Sequence, residues 1–242
     1  MRINHSREGK SSRYSLFICS PSYSGEFNCH FVTSLLQTCD LLKKKDIPYE
    51  VYFSVYDSLV ARSRNDLVDR FLKSKCSHIL MIDADQGWEA KAVPEMLKLN
   101  KDFITGAVPA RKVEEEYALK INTNRDRTPK VNYEGLIECS TNGVAFAMIE
   151  RSVFGKIKAK EFYKSKVYPY FQHRYYENGD HYGEDTYFVK SWTELGELWI
   201  YSDITFKHGP IEANYHEFLC KQPGGSSDPN KAVEGLRINK VA

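Results

Sequence analysis

The segment from His78 to Asp85, with the sequence HILMIDAD, constrains the fold of this chain more than any other. A short apolar run that ends in two carboxylates predicts a buried strand with Asp83 and Asp85 at its carboxyl end. Because side chains alternate along an extended backbone, the two aspartates should point the same way, with their carbons roughly 6.5 to 7 Å apart. At this separation both carboxylates could bind the same divalent cation. A structural alternative stays open, in which Asp83 ends the strand and Asp85 caps a helix that begins near Glu89.

Strands and helices alternate around this segment. The hydrophobic pattern predicts strands at 14–19, 49–55, 78–85 and 102–108, and helices at 27–45, 58–74 and 90–99. This order predicts an α/β fold with a mostly parallel central sheet flanked by helices. Ligands of such sheets bind at the carboxyl ends of the strands, so the turn at 20–25 makes Pro21 and Tyr23 candidates for nucleotide binding. An ordinary turn is an equal alternative.

The length and net charge of the chain limit its domain organisation and its binding partners. The chain has 242 residues, 42% of them apolar, which suits one large domain, predicted at 14–220 between a flexible N-terminus at 1–13 and a flexible tail at 221–242. The net charge is only +2 and basic residues concentrate at the two ends, so the slightly acidic body argues against a broad nucleic-acid surface. The six cysteines form no Cys-x-x-Cys pair, and the sequence shows neither a signal core nor a membrane span. We therefore expect a reduced, cytoplasmic protein.

Arg64 falls near the middle of the apolar face of the helix predicted at 58–74. A guanidinium there pairs with a buried carboxylate, extends to the surface or binds an anionic ligand. Because Arg64 lies near the helix start, at the ligand edge of the sheet, we favour the ligand. Asn65, at the margin of that face, is expected to help hold the same group.

Two further candidates lie in the last third of the chain. Gly183-Glu184-Asp185 begins a helix predicted to end near 195, with Asp185 on its buried face. The helix dipole alone would favour an acid there, whereas a partly desolvated carboxylate would have the raised proton affinity that suits a general base. A last strand predicted at 197–207 places His208 just past its end, where an imidazole could bind a transition metal.

The remaining segments leave alternatives open. The charged stretch at 109–133 predicts a long loop with one short strand at 117–121, of the kind that closes over a ligand. A strand at 144–149 and a short helix at 151–157 follow. The aromatic stretch at 168–182 suits stacking on sugars or bases as well as it suits core packing. The lysine run at 156–166 either faces solvent or binds a polyanionic acceptor.

Three motifs in register resemble those of GT-A glycosyltransferases, namely an Asp-x-Asp motif, an x-Glu-Asp motif and a C-terminal metal-binding histidine, here Asp83-Ala84-Asp85, Glu184-Asp185 and His208. More narrowly, the segments 61–65, 104–109 and 142–149 are similar to small viral and phage glycosyltransferases, including those of large algal viruses. One departure is Ala110, which precedes the basic pair Arg111-Lys112 where an aromatic or charged residue is expected.

The resemblance implies a GT-A (Rossmann-like) fold and transfer of a sugar from a nucleotide-diphosphate donor, with UDP favoured, to an acceptor hydroxyl. It implies that Mn²⁺ or Mg²⁺ is bound by Asp83, Asp85 and His208, and that the donor is contacted by Pro21, Tyr23, Arg64, Asn65 and the segment Asp83-Ala84-Asp85. Asp185, with Glu184 beside it, would deprotonate the acceptor in a single inverting displacement. A retaining mechanism stays open.

The acceptor implied is a glycan, a protein or a small hydroxylated molecule, with hydroxymethylated bases of viral or phage DNA as an alternative. A viral protein of this kind would work in the host cytoplasm. A protein of another class, an inactive binder of sugar nucleotides or glycans, would share the fold, although the intact acidic motifs argue against it. A nucleotidyltransferase is disfavoured because no Gly-rich phosphate loop follows the first strand.

Overall fold

The computed structural model describes residues 2–5, 14–112, 114–158, 167–177, 179–226 and 236, and the fold is given for these. The helices are α1 (Cys29–Lys44), α2 (Val60–Lys73), α3 (Ala92–Leu99), α4 (Arg151–Lys158), α5 (Glu184–Thr193) and α6 (Tyr215–Cys220). The strands are β1 (Arg2–His5), β2 (Leu16–Ser22), β3 (Tyr49–Val55), β4 (His78–Ile82), β5 (Gln86–Trp88), β6 (Phe103–Gly106), β7 (Lys120–Ile121), β8 (Ile137–Thr141), β9 (Phe146–Glu150), β10 (Arg174–Tyr175), β11 (His181–Tyr182), β12 (Leu198–Tyr201), β13 (Thr205–His208) and β14 (Ile211–Asn214).

Nine strands of the described ranges form one central sheet, in the order β1-β3-β2-β4-β9-β6-β12-β8-β7. β2 pairs in parallel with β3 and β4, and β6 pairs in parallel with β12. Of the nine, β1, β8 and β9 run opposite to the rest, and β9 lies between β4 and β6. The predicted α/β fold with a mostly parallel, helix-flanked sheet is confirmed, with three antiparallel strands added.

Successive residues of β2 and β4 face opposite sides of this sheet. Phe17 and Met81 belong to a core cluster that also contains apolar residues of α2, α4 and α5. Ile18 and Leu80 belong to a second cluster with residues of α1 and α3. Helices therefore cover both faces, which explains why these strands read as continuous apolar runs rather than as alternating patterns.

Two predicted strands end at other residues than expected. β2 continues through Ser22, paired with β3, so residues 20–22 do not form a turn. β4 ends at Ile82, and Asp83 and Asp85 lie in the tight connection to β5 rather than within an extended strand. The alternation argument for their side chains therefore does not apply, and Asp85 does not cap a helix, because β5 stands between it and α3.

The single strand predicted at 197–207 is wrong, because the chain changes sheet at residues 202–204. β12 belongs to the central sheet, whereas β13 lies between β5 and β14 in a separate three-stranded sheet. The backbone N–H of Thr205 donates to the Glu89 carboxylate (3.0 Å), and that of Ile204 donates to the Ser202 carbonyl (3.0 Å). These bonds turn the chain away from the central sheet.

The segment at 109–133 is held by more contacts than its charged sequence indicates. Isolated bridges join Pro109 to Tyr117 and residue 123 to residue 129, and the short strand is β7 rather than 117–121. The ring of Tyr117 packs against those of Tyr215 and Phe218 in α6, with centroids 4.6 and 5.1 Å apart. β8, the partner of β7, was not predicted.

The ends of the chain are described in part. The predicted flexible N-terminus and tail lie largely outside the described ranges, which omit 6–13, 227–235 and 237–242. Leu236 is buried in the core cluster that contains Phe17. Among the described helices none is both long and apolar enough to span a membrane.

Candidate functional site

The carboxyl ends of β2, β3, β4, β6 and β12 meet at one edge of the central sheet, because these strands run in the same direction. The connection after β4 lies at this edge. It is fixed there by two backbone hydrogen bonds, from Asp83 N–H to the Ala145 carbonyl (3.0 Å) and from Asn28 N–H to the Ala84 carbonyl (3.0 Å). Asn28 also caps α1 through its side chain, so the start of α1 and the acidic connection form one rigid corner.

Asp85 and His208 are in contact at this edge. The Oδ2 atom of Asp85 lies 3.3 Å from Nε2 of His208 and 3.2 Å from Nη1 of Arg111. The Nδ1 atom of His208 lies 2.7 Å from the carbonyl oxygen of Pro109. Because a carbonyl can only accept, Nδ1 carries the proton in this contact, and Nε2 is the nitrogen that faces the carboxylate.

The pKa values of the pair move in opposite directions. The hydrogen bond from His208 lowers the pKa of Asp85, against the effect of partial burial, and the charges of His208 and Arg111 lower it further. The hydrogen bond to Asp85 raises the pKa of His208, which burial opposes and the Pro109 carbonyl reinforces. Asp85 is therefore ionised and available as an anionic ligand at neutral pH.

Arg64 joins two carboxylates at this edge. Its side chain is 7% exposed, with Nη2 2.9 Å from Oδ1 of Asp83 and Nη1 2.6 Å from Oε1 of Glu184. Burial alone would lower the pKa of the guanidinium, but the carboxylates of Asp83, Glu184 and Asp185 raise it. These contacts match the buried-carboxylate alternative for Arg64, and they leave the Asp83 side chain 34% exposed.

Asn65 also has a structural partner. Its side-chain amide donates to the Phe171 carbonyl (2.8 Å), and its carbonyl oxygen accepts from the Phe171 backbone N–H (2.9 Å). This two-way bond satisfies the buried amide and fixes the 167–173 segment against α2. Asn65 therefore orients the chain beside the carboxylates.

Glu184 and Asp185 begin α5 at the same edge. Asp185 is half-buried; its Oδ1 atom accepts from the Thr186 backbone N–H (2.6 Å), and its Oδ2 atom would lie 3.3 Å from a Cβ added at Gly143. A side chain at position 143 would therefore press on this carboxylate, which glycine avoids. The second oxygen of Glu184 lies 3.5 Å from Nε2 of His173, a residue that the sequence did not single out.

The two nucleotide-binding candidates flank the end of β2. Pro21 pairs with Ser54 within the sheet and is half-buried, while Tyr23 is 72% exposed. Tyr56, at the end of β3, is 78% exposed and has a positive φ of 63°, which is uncommon for an aromatic residue. Its ring covers Gly25, where any side chain would collide with it.

Gln86 carries an unexplained polar group. It is 1% exposed and lies directly opposite His208 in the antiparallel pair of β5 and β13, yet neither atom of its side-chain amide has a hydrogen-bond partner within the described structure. Residues opposite each other in such a pair share a face, so the amide lies on the side of His208. Gln86 gives no sequence signal, because its role depends on β5 pairing with β13. Arg111 belongs to the basic pair noted in the sequence, but its contact with Asp85 depends on the path of the loop after Pro109.

The residues present fit a divalent metal that is held by two protein ligands. Asp85 supplies an oxygen and His208 a nitrogen whose opposite ring atom is already bonded, a common arrangement for metal-binding histidines. Asp83, the third predicted ligand, has one oxygen bonded to Arg64 and a side chain that is 34% exposed. The described residues contain no cluster of three or more His, Cys, Asp or Glu side chains suited to a metal.

The residues of the aromatic stretch differ in burial, and only part of the lysine run lies within the described ranges. Tyr168, Tyr170 and Phe171 are buried, whereas Tyr175 is 78% exposed. Of the lysines, Lys156 in α4 pairs with Asp102 (2.7 Å). Lys160, Lys164 and Lys166 lie outside the described residues.

Solved structures that superpose on the chain include that of S. aureus TarS 1–349, at 12% identity over 85% of this chain and 63% of that one, with a TM-score of 0.48. The structure of TarS 1–349 in complex with UDP-GlcNAc is 11% identical over 85% of this chain and 64% of that one, with a TM-score of 0.45. HddC from Yersinia pseudotuberculosis is 10% identical over 64% of this chain and 87% of that one, with a TM-score of 0.32. The chain spans less than two thirds of the TarS 1–349 chains. No protein-family model and no curated protein matches the sequence. The function proposed below therefore rests on the residues of the site.

Proposed function

We propose that the protein is a glycosyltransferase that transfers a sugar from a nucleotide-diphosphate donor, with UDP favoured, to an acceptor hydroxyl with the help of Mn²⁺ or Mg²⁺. The observation that carries this proposal is the convergence of distant acidic motifs at one sheet edge. Asp85 meets His208 at 3.3 Å, and Arg64 joins Asp83 to Glu184. The carboxyl edge of such a sheet is where ligands bind.

The donor side of the site would be formed by the ends of β2, β3 and β4. Tyr23 and Tyr56 present exposed rings that suit a nucleoside base. A metal held by Asp85 and His208 would neutralise charge on the diphosphate leaving group. Arg111, 61% exposed and adjacent to Asp85, is better placed than Arg64 to add a fixed positive charge there.

Asp185 would act as the general base. Its carboxylate takes the proton of the acceptor hydroxyl, the hydroxyl oxygen forms a bond to the anomeric carbon, and the bond from that carbon to the diphosphate breaks with its electron pair on the phosphate oxygen. The half-buried position of Asp185 supports this role, because part of the side chain remains open to solvent. A single displacement of this kind inverts the anomeric centre, which NMR of the product would test.

Metal and nucleotide binding should be coupled, because Asp85 and His208 leave coordination positions for diphosphate oxygens. Calorimetric titration of UDP, GDP, CDP and ADP, each with and without Mn²⁺, tests this. We expect UDP to bind most tightly and to need the metal, and Asp85→Asn to remove the metal dependence. Asp40→Asn, which alters an exposed pair with Lys44 at the far end of α1, is the matched control.

Equal affinity for UDP with and without Mn²⁺ would contradict the metal assignment. The absence of binding by any of the four nucleotides would contradict the donor. Binding without transfer to any acceptor, and without slow hydrolysis of a UDP-sugar, would favour the inactive binding protein instead.

A further inference from the structure

A stack of three rings lies on an exposed hairpin beside Glu184. The hairpin consists of β10 and β11, and Tyr175 lies directly opposite His181 in their antiparallel register. The rings of Tyr175 and His181 are stacked, with centroids 4.3 Å apart and planes 22° apart. His181 in turn stacks on His173, at 5.6 Å and 7°. These three residues are called the ring stack below.

The ring stack is open to solvent. Tyr175 is 78% exposed, and the side chain of His173 is 54% exposed. Cross-strand ring pairs do stabilise hairpins, but only by a few tenths to about 1 kcal/mol. Stabilising the hairpin does not require three parallel rings whose faces and edges remain in water, and an exposed group of aromatic rings is typical of a binding surface.

The hairpin is held in place by α5, the helix that begins with Glu184 and Asp185. The Arg174 guanidinium lies over the ring of Tyr187, 5.8 Å from its centroid, and the Lys190 ammonium lies 4.3 Å from the centroid of Tyr182. The hairpin residues in these contacts are Arg174 and Tyr182, the sequence neighbours of Tyr175 and His181. Tyr175 itself is left facing outward, at a fixed position relative to the two carboxylates.

The ring stack leads to the reacting groups. His173, its inner member, lies 3.5 Å from Glu184, the neighbour of the proposed base. His173 also lines a cleft of about 670 Å³ with the apolar residues Leu59 and Val60 at the start of α2. A chain-like ligand on the rings would therefore extend toward both the carboxylates and the cleft.

The charge around the ring stack is balanced. Arg174 and Lys190 are offset by Glu177 and Asp180, the acidic residues of the hairpin. A surface for a polyanion would show an excess of basic residues, because phosphate neutralisation dominates such binding. Flat ring faces with little net charge suit a neutral ligand that presents apolar C–H faces and hydroxyl groups.

We propose that the ring stack of Tyr175, His181 and His173 binds a neutral oligosaccharide, whose terminal hydroxyl it directs toward Asp185. The assignment of this oligosaccharide as the acceptor rests on the function proposed above. The binding itself does not, because it needs only the hairpin and its contacts with α5.

Ligand-observed NMR with linear tetrasaccharides of glucose, mannose and N-acetylglucosamine tests the proposal on the full chain, with and without UDP and Mn²⁺. We expect at least one tetrasaccharide to bind. Because a ring stacked on a ligand contributes modestly, Tyr175→Ala should weaken that binding by about two- to tenfold, and the double variant with His181→Ala should weaken it further. Neither change should alter the affinity for UDP.

Tyr133→Ala is the matched control, because Tyr133 is 93% exposed but contacts Lys101, just before β6 at the opposite edge of the sheet. It should leave tetrasaccharide binding unchanged. Thermal unfolding of each variant shows whether the fold is intact, and Tyr175→Leu retains an apolar side chain in case the alanine variant unfolds.

No binding of any tetrasaccharide, or binding that Tyr175→Ala and Tyr175→Leu leave unchanged, would overturn the proposal. Tighter, salt-dependent binding of a short DNA duplex at the same residues would overturn it in favour of nucleic acid. Tetrasaccharide binding that depends on Tyr175, in a protein that binds no nucleotide, would keep this proposal and reject the transferase.

Discussion

At the scale of single residues, Arg64 determines where two carboxylates of the site stand. It is buried on the apolar face of α2 and bonded to Asp83 and Glu184, which belong to segments about 100 residues apart in sequence. Sequence periodicity predicted that a charged residue would be buried there, but the identity of its partner depends on the packing of α2 against α5. That packing is a tertiary feature and leaves no local pattern.

Removing Arg64 should be costly to the fold. Arg64→Met leaves two carboxylates close together without their shared cation, so we expect the free energy of unfolding to fall by about 3 kcal/mol, the lower end of the range for breaking buried pairs. Urea denaturation measures this. Arg62 lies two residues before Arg64 and forms an exposed ion pair with Asp57. Arg62→Met should therefore leave the urea midpoint nearly unchanged. Equal loss in both variants would show that Arg64 is not a structural cation.

Asp185 is expected to act in chemistry rather than in binding. Asp185→Asn should lower turnover by about a hundredfold or more, the usual effect of removing a general base, with little change in the affinity for UDP and Mn²⁺. Steady-state kinetics with a UDP-sugar and calorimetry on the same variant measure the two effects. Turnover that survives the change would assign Asp185 to the start of α5, where it already accepts from Thr186.

At the scale of secondary structure, β3 and the two longest helices were predicted best. The predicted bounds of β3 are identical to the observed ones, and α1 and α2 differ by one or two residues at each end. Long apolar patterns set these elements, because both faces of the sheet are covered. The β12 and β13 strands were merged because the apolar residues on either side of the break keep the same alternation. The bonds from Thr205 to Glu89 and from Ile204 to Ser202 show where the chain turns.

The site was predicted in the same uneven way. Asp83 and Asp85 were singled out because they follow an apolar run, and Asp185 because of the helix pattern that follows it. The contacts of Arg111, Gln86 and His173 depend on loop paths and on a second sheet that no periodicity indicates. The structure brings His208 to Asp85, but through β13 and its partner β5 and not through the extension of one long strand. The role of the lysine run stays a prediction, since three of its five lysines lie outside the described residues.

Gln86 in β5 offers a test of the second sheet. Its buried amide has no hydrogen-bond partner among the described residues, and an unpaired amide of this kind costs about 1 to 3 kcal/mol. Gln86→Leu should therefore raise the free energy of unfolding of the free protein by about 1 kcal/mol, measured by urea denaturation. A loss of stability would instead show that the amide has a partner, such as an ordered water molecule, and that an apolar side chain is unfavourable at this position.

At the scale of the whole molecule, His78 links stability to pH. Burial lowers its pKa below the ordinary value near 6.5, and the charges of Glu150 and Asp102 only partly oppose this. The unfolded chain therefore binds a proton before the folded one does as the pH falls. Its contribution to stability is complete above about pH 6.5 and is lost progressively below it.

The urea midpoint of the wild-type protein should therefore fall more steeply between about pH 7.5 and 5.5 than that of His78→Gln, in which this group cannot titrate. Comparing the two slopes removes the contributions of the other histidines, which both proteins share. Parallel slopes would mean that His78 titrates in the folded state as it does in the unfolded chain.

The position of β9 has a consequence for the order in which the chain can fold. β4 and β6 are only about 20 residues apart in sequence, but they do not pair with each other. Both pair with β9, which lies between them and ends at Glu150. During synthesis the first half of the chain would emerge from the ribosome with two apolar strand edges uncovered. Such edges favour pairing with other chains until their own partner arrives. Long-range pairing of this kind slows folding, so folding of this protein should depend on chaperones more than its modest size indicates.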